Sequence, residues 1–143
     1  MIVKHHDNFF IQWDIVYPIA NGLNLGIFNF WINDKAYPAE ATNITLGGLM
    51  HELTANIPAI ENLKTDIGDL PIEEIDFSDF ENENLIWFDT DQLFQYCFAI
   101  VLGFNKDEER LFYSTDFEKS YHEITLPKGV VLATLLDLQK ILL

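Results

Sequence analysis

The residue types that could support metal binding or catalysis in this chain include a few histidines. His51 and Glu52 resemble the start of a zinc-peptidase helix, but that helix needs a second histidine at position 55, which is Ala55. The adjacent residues His5-His6-Asp7 project in different directions, and no further convincing ligand follows them in sequence. We therefore predict no metal site and expect no cofactor.

The single cysteine, Cys97, could act as a nucleophile if it were activated by His122, Asp89 or Asp91. The apolar residues around Cys97 alternate in the way that is typical of a strand, which favours a buried and inert thiol. A single cysteine also excludes an internal disulfide and is typical of a reducing compartment.

Paired carboxylates could support glycoside hydrolysis or calcium binding. Glu73/Glu74 and Asp89/Asp91 are examples of such pairs. A calcium loop needs oxygen ligands at regular positions around a central glycine, and the stretch 66–69 does not continue into that pattern. A hydrolase would need two carboxyl groups held in a cleft, so this remains the enzymatic alternative.

The strongest signal in the sequence is its negative charge. The 143 residues include 23 acids and 8 bases, which gives a formal net charge of −15. Residues 61–91, which we call the acidic segment, carry eleven of these acids and one base, Lys64. Apolar residues are spaced through the acidic segment, which predicts an ordered excursion and not a flexible tail. Because such a surface repels nucleic acid and anionic lipid, we predict a basic protein partner and no binding to nucleic acid or membrane.

Eight carboxylates of the acidic segment are our candidates for contact with that partner. They are Asp66, Asp69, Glu73, Glu74, Asp76, Asp79, Glu81 and Glu83. A concentrated negative field raises association rates and supplies specificity. The aromatic residues Phe77, Phe80, Trp87 and Phe88 would anchor the partner if they were exposed. The alternative is that these aromatic side chains belong to the core and that the acids are merely solvated.

The elements that must position these residues follow from hydrophobic periodicity. Asn8–Tyr17 and Asn24–Asn33 alternate in apolar character, which predicts two antiparallel strands joined through a turn at Asn21-Gly22. Both faces of the second strand are largely apolar, so we expect one face deep in a core and the other covered at least in part. Asn33-Asp34-Lys35 predicts a turn before a short strand at Ala36-Tyr37.

A first helix is predicted to begin after Thr45 and to end near Ile57, because Pro58 disfavours the helical conformation at the residue before it. Its apolar stripe consists of Leu46, Leu49, Met50, Leu53 and Ile57. Within the acidic segment we predict a short helix near Pro71–Phe77 and a short strand at Leu85–Phe88.

The last third of the chain is predicted to form a second hairpin, from Leu93–Phe104 and Arg110–Thr115, and an edge segment at Tyr121–Leu126. Pro127 suits the first turn of a second helix. The buried stripe of that helix consists of Val131, Leu135, Leu138 and Leu142, widened by Leu132 and Leu136.

The predicted fold class is α+β, with an antiparallel sheet built from hairpins and two main helices packed on it, in one domain over residues 1–143. No signal peptide and no run long enough to span a membrane is visible, so the expected compartment is the cytoplasm.

Two stretches resemble the opening strands of the immunity protein 42 family. They are Phe9–Ile15 (FFIQWDI) and Leu25–Lys35 (LGIFNFWINDK). Members of that family look like cytosolic antidotes encoded beside polymorphic or contact-dependent-inhibition toxins. The resemblance therefore implies an immunity protein that is not an enzyme and that binds the C-terminal domain of a cognate toxin. After Glu61 we find no correspondence, so the resemblance does not identify the contact residues.

Many toxins of this kind are nucleases with basic active sites. The resemblance and the charge together therefore predict an acidic protein that covers such an active site. The alternatives are a small acidic adaptor or regulatory domain and a carboxylate-based hydrolase.

Overall fold

The structure is a computed structural model that describes residues 1–19, 24–39, 44–88 and 90–142. The predicted turn at Asn21-Gly22 and the candidate Asp89 lie outside the described residues, as does the side chain of Leu142.

The first sheet is antiparallel and contains the first five strands. These are β1 (Ile2–His6), β2 (Phe9–Tyr17), β3 (Leu25–Ile32), β4 (Lys35–Tyr37) and β5 (Ile44–Thr45). The strand order is β1-β2-β3-β4, and β5 pairs with β3. The predicted pairing of β2 with β3 is confirmed. The turn between β3 and β4 is confirmed as well, with Asn33 and Asp34 both left-handed at φ 48° and 67°, as a tight two-residue hairpin requires.

The second sheet is also antiparallel and has the order β6-β7-β8-β9. Its strands are β6 (Ile86–Trp87), β7 (Ala99–Asn105), β8 (Glu108–Ser114) and β9 (His122–Pro127). The helices are α1 (Leu46–Thr54), α2 (Ile57–Asn62), α3 (Asp91–Phe94) and α4 (Val130–Leu142). The α+β class is therefore confirmed, and the hairpins form two sheets where the periodicity had suggested one.

One core joins the inner faces of both sheets to α1, α2 and α4. Aromatic rings connect the two sheets directly, because Phe98 stacks on both Phe30 and Tyr37 with ring centroids 5.8 Å apart in each pair. Three members of the predicted stripe on α4, Val131, Leu135 and Leu138, are buried in this core.

The outer face of β3 is only partly covered, and the cover comes from its neighbour β2. Phe10 stacks on Trp31 with ring centroids 5.9 Å apart. The indole Nε1 of Trp31 donates a hydrogen bond to Oε1 of Gln12 at 2.9 Å. The cover of Trp31 that the structure describes therefore comes from strand neighbours within the same sheet.

The first helix is shorter than predicted. Thr45 occupies the N-cap position without a capping hydrogen bond from its side chain, and α1 ends at Thr54 instead of Ile57. The side chains of Thr54 and Asn56 donate to carbonyl groups of the last turn, which ends the helix there. Pro58 does not end α1 but lies in the first turn of α2, where its missing N–H costs nothing.

The prediction of a strand over Leu93–Phe104 is wrong in its first half. Residues 91–94 form α3, and the strand begins at Ala99. Cys97 lies in the turn between them with a left-handed φ of 69°. Alternating aromatic residues in a tight helical turn and the loop after it gave the same pattern as a strand.

Pro127 ends β9 and does not begin α4, which starts at Val130. A buried carboxylate stabilises this start. Glu109, on β8, is fully buried and accepts hydrogen bonds from the backbone N–H groups of Gly129 at 3.2 Å and Val131 at 2.7 Å. A carboxylate at a helix N-terminus interacts favourably with the unpaired N–H groups there. Burial nevertheless raises the pKa of Glu109 above its ordinary value.

This raised pKa predicts a pH dependence of stability that Glu109→Gln removes. Between the ordinary pKa of a glutamate and the raised one, the folded state binds more protons than the unfolded state. The free energy of unfolding of the wild-type protein should therefore fall, relative to Glu109→Gln, by up to about 1.4 kcal/mol per pH unit as the pH rises through this window. Urea unfolding of both proteins from about pH 4.5 to 7 measures the difference. A difference that stays constant with pH would contradict the role given to Glu109.

Candidate partner-binding face

The acidic segment lies across the outer face of the second sheet, held by its own apolar side chains. Ile75 and Leu85 form a second hydrophobic cluster with Val101 and Phe112 of the sheet. Half-buried side chains pack against this cluster, namely Ile67, Ile72, Phe77, Trp87 and Tyr121. The prediction of an ordered excursion with apolar anchors is therefore confirmed. Within it, the predicted helix is a single 3-10 turn at Ile72–Glu74, and the predicted strand is the short β6.

The close approach of the segment to the sheet depends on Gly103 in β7. A Cβ atom at Gly103 would lie 2.9 Å from Cγ2 of Ile67 and 3.1 Å from Cδ2 of Leu85. Any larger residue there would push the segment away from the sheet.

Arg110, the only arginine in the sequence, fastens the segment to β8 and β9. Its Nε and Nη2 donate to the two carboxylate oxygens of Glu123 at 2.6 and 2.9 Å. Its Nη1 donates to the backbone carbonyls of Gly68 at 2.9 Å and Leu70 at 2.7 Å. Arg110 is 6% exposed, and the ion pair with Glu123 raises its pKa further. Since one rigid guanidinium makes all four bonds, the segment and the two strands are held in a fixed geometry.

The start of the segment is also attached to the tip of the β7–β8 hairpin. The carboxylate of Asp66 accepts a hydrogen bond from the backbone N–H of Lys106 at 2.7 Å. The N–H of Gly68 donates to the carbonyl of Phe104 at 3.1 Å. The segment is thus attached at several points along the sheet.

All eight predicted contact carboxylates are exposed, and they divide into two groups. Asp66, Asp76 and Asp79 accept hydrogen bonds from nearby backbone or hydroxyl groups. In Asp76, the bonds from Ser78 hold the pKa of the carboxyl below its ordinary value. Among the described residues, no hydrogen bond or ion pair uses the carboxylates of the other five, which are Asp69, Glu73, Glu74, Glu81 and Glu83.

The aromatic residues of the segment differ in exposure. Phe80 is 66% exposed and contacts Trp87 edge-on with ring centroids 5.3 Å apart. Phe77 and Trp87 are half-buried, and Phe88 is buried in the core. Exposure therefore makes Phe80 available as an anchor and excludes Phe88.

Two further exposed aromatic residues, which the sequence analysis missed, lie close to this face. Phe94 is 42% exposed and Phe117 is 50% exposed, and their rings make an edge contact with centroids 5.5 Å apart. The sequence analysis placed Phe94 in the strand predicted over Leu93–Phe104, and that strand does not form at this residue. For Phe117 the available signal was a lone phenylalanine between Asp116 and Glu118 in a polar stretch.

The turn after β8 is strained and tightly bonded. Phe117 and Glu118 both adopt left-handed φ values of 58° and 65°, which cost about 1 kcal/mol each for residues of this type. The hydroxyl of Ser114 accepts the N–H of Glu118 at 2.9 Å. Asp116 accepts the N–H and the hydroxyl of Ser120 at 2.9 and 2.5 Å, and these bonds lower its pKa to about 2.

Two grooves flank Phe80 on this face. The first groove has a volume of about 490 Å³ and is lined by acidic and aromatic residues that include Glu73, Asp76 and Tyr121, together with Lys119. The second groove has a volume of about 330 Å³ and is lined mainly by apolar residues with Asp91 at its edge. Phe80 and Glu118 line both grooves and form a ridge between them.

Two clefts bear on the enzymatic alternatives. The first groove is lined by three acidic residues, Glu73, Asp76 and Glu118, of which Asp76 and Glu118 already accept hydrogen bonds from Ser78 and Tyr121. A third cleft, of about 860 Å³, is lined by Cys97, His122, Tyr37 and Tyr113, and none of the described residues that line it is acidic. Cys97 is half-buried in a turn, so the expectation of a buried thiol in a strand is wrong. Glu109, whose pKa is raised by burial, is fully buried at the start of α4. It lies beside a small pocket of about 300 Å³, and its carboxylate accepts hydrogen bonds from the backbone there.

The histidines near the start of the chain diverge into separate contacts. Nε2 of His5 lies 2.6 Å from Oδ2 of Asp137, and Asp7 pairs with Lys4 at 3.0 Å. His51 is an exposed residue of α1. Within the residues that the structure describes, no group of three or more His, Cys, Asp or Glu side chains could hold a metal ion.

None of the described helices is both long and apolar enough to cross a membrane.

Comparison with known proteins supplies independent information. The model of the family described as immunity protein 42 matches residues 1–141, far beyond the two strands that carried the resemblance in the sequence. No curated protein matches the chain. A crystal structure of CdiI from Burkholderia dolosa AUO158 is similar with a TM-score of 0.70, over 99% of each chain and at 14% identity. At that identity the similarity shows a shared fold.

The bonds made by Arg110 predict that Arg110→Lys loosens the acidic segment. A lysine cannot bridge Glu123 and two carbonyl groups at once, so the segment should open more often. Amide exchange of Gly68 should become about 5 to 150 times faster, as expected for a loss of roughly 1–3 kcal/mol of local stability, while amides of β7 stay protected. Hydrogen-exchange mass spectrometry or NMR measures this.

Lys64→Ala is the matched control, because it removes an exposed base from the same segment with only one hydrogen bond, to the carbonyl of Glu61. Unchanged exchange at Gly68 in Arg110→Lys would show that the apolar contacts alone hold the segment.

Proposed function

The chain belongs to the immunity protein 42 family, and we propose that, as a toxin-neutralising immunity protein, it uses the exposed carboxylates of the acidic segment to cover its cognate toxin. The observation that supports this most directly is the state of five of these carboxylates. Asp69, Glu73, Glu74, Glu81 and Glu83 lie exposed on a fixed support, and their carboxylates make no hydrogen bond or ion pair among the described residues, although the charge of Asp69 contributes to the raised pKa of Arg110. Their charge is available to a partner.

The rigid attachment of the segment matters for affinity. A flexible acidic tail would lose conformational entropy on binding, whereas a segment already fixed by apolar contacts and by Arg110 loses little. The carboxylates therefore present a preformed negative surface that can steer a basic protein into a defined orientation.

The toxin domain that fits this surface is a basic one, and a nuclease is the class we propose. The active site of a nuclease binds phosphates and is positively charged. An acidic protein seated over such a site occupies the space of the nucleic acid and repels it. In this proposal the protein acts by binding, without catalysis, in the cytoplasm where the toxin would reach its substrate.

Co-expression with the C-terminal domain of the large secreted protein encoded beside this chain tests the proposal. The expected results are rescue of growth and co-purification of the two proteins. If the two proteins formed no complex, the immunity role at this face would be lost and an acidic adaptor would become the better interpretation.

Charge reversal tests the role of the acidic segment. The triple variant Glu73→Lys, Glu74→Lys and Glu81→Lys should fold normally, because these side chains are exposed and make no described contact. Its association rate with the toxin domain should fall by about 10- to 100-fold at low salt, because long-range attraction is reversed. Stopped-flow measurements at several salt concentrations should show that the loss shrinks as salt screens the charges.

The matched control reverses three exposed acids of the first sheet, Asp7, Asp14 and Asp34. It changes the net charge by the same amount and should affect the association rate much less. Equal effects of the two triple variants would mean that only the overall charge matters and that the acidic segment is not the docking face.

A further inference from the structure

Three exposed aromatic side chains lie on or beside the ridge that Phe80 and Glu118 form between the two grooves. Phe80, Phe94 and Phe117 are three of the most exposed aromatic side chains of the described residues, at 66%, 42% and 50%. They lie around one groove or in edge contact with a residue that lines it. Exposed aromatic residues that cluster beside charged groups are typical of protein interfaces, where they become the residues that contribute most to binding.

The chemistry of the first groove suits a guanidinium group. Its lining residues include Phe77, Phe80 and Tyr121 together with Glu73, Asp76 and Glu118. Phe77 and Tyr121 stack on each other with ring centroids 4.1 Å apart, so Phe80 is the most exposed of the three rings. Arginine stacks its planar cation on aromatic faces and pairs with carboxylates through two parallel bonds. The amine of Lys119 also lines the groove, so three carboxylates face one base.

Glu118, which lies between the grooves, has a backbone conformation that is unfavourable for a glutamate. Its φ of 65° is left-handed, and the bond from its N–H to Ser114 keeps it there. Its carboxylate accepts a hydrogen bond from the hydroxyl of Tyr121 at 3.1 Å. A glycine would adopt this backbone conformation more easily, so the side chain is present at a cost in stability.

We propose that the ridge of Phe80 and Glu118 contributes most of the short-range contacts with the toxin. We further propose that an arginine side chain of the toxin binds in the first groove. The inference rests on the proposed function and deepens it. The carboxylates of the acidic segment attract the basic toxin from a distance, while the ridge determines how long the toxin stays bound.

Glu118→Gly separates binding from stability. The variant should unfold at nearly the same urea concentration as the wild type, because relief of the left-handed strain offsets the lost hydrogen bond from Tyr121 and the greater freedom of glycine in the unfolded chain. It should nevertheless bind the toxin domain about tenfold more weakly, mainly through faster dissociation. Asp34→Gly is the matched control, since Asp34 is also an exposed acid with a left-handed φ, of 67°, but lies in the first sheet. It should change the stability little and bind as the wild type does.

Phe80→Ala tests the aromatic side of the ridge. It should raise the dissociation rate about 30-fold, as expected for a central anchor, with Tyr17→Ala as the control at a similarly exposed aromatic residue of the first sheet, 64% exposed. If the wild type binds and both ridge variants dissociate as slowly as it does, the ridge proposal is overturned while the immunity role stands. If the wild type does not bind the toxin domain, both are overturned.

An arginine-to-alanine scan of the toxin domain tests the occupant of the first groove. One substitution should weaken binding to the wild-type protein about tenfold and weaken binding to Glu118→Gly far less, since the partner of that arginine is already gone. Surface plasmon resonance on each pair gives the affinities. If no arginine couples to Glu118, the groove does not hold an arginine.

Discussion

The bonds of Arg110 are the interaction on which the candidate face depends. Its guanidinium is buried on a sheet surface, where an unpaired charge would be strongly unfavourable. Glu123 neutralises the charge, and the two remaining bonds reach carbonyl groups at residues 68 and 70. Because these carbonyls belong to the acidic segment, satisfying one buried cation also fixes the path of the segment. A lysine would satisfy the charge without providing the same geometry.

The carboxylates of the acidic segment fall into two groups according to whether they accept hydrogen bonds. Asp66 and Asp76 accept bonds from nearby groups and shape the loop, whereas Glu73 and Glu81 make no such bond among the described residues and carry charge outward. Mutual repulsion among so many acids would open a loosely held loop. The apolar cluster beneath it supplies the compensating stability, so that a surface unfavourable for folding is held in place.

The sequence was informative wherever a pattern is local. Alternation identified β2 and β3, and the apolar stripe identified α4 although its start was misplaced. It could not show that Arg110 binds carbonyls some forty residues earlier, since that contact depends on how two distant pieces of chain meet. It also could not reveal the left-handed turn at Phe117 and Glu118, because neither residue type favours that conformation. The eight exposed acids were found by composition, and the ridge required coordinates.

The order of these parts along the chain has a consequence for synthesis on the ribosome. The carboxylates of the acidic segment are made in the middle of the chain, but Arg110 and Glu123, which fix that segment, are made later, and the Glu109 contact waits for α4. A nascent chain therefore carries the acids of this segment before it has the residues that fix their geometry, and the segment can reach its final path only after β8 and β9 have been made.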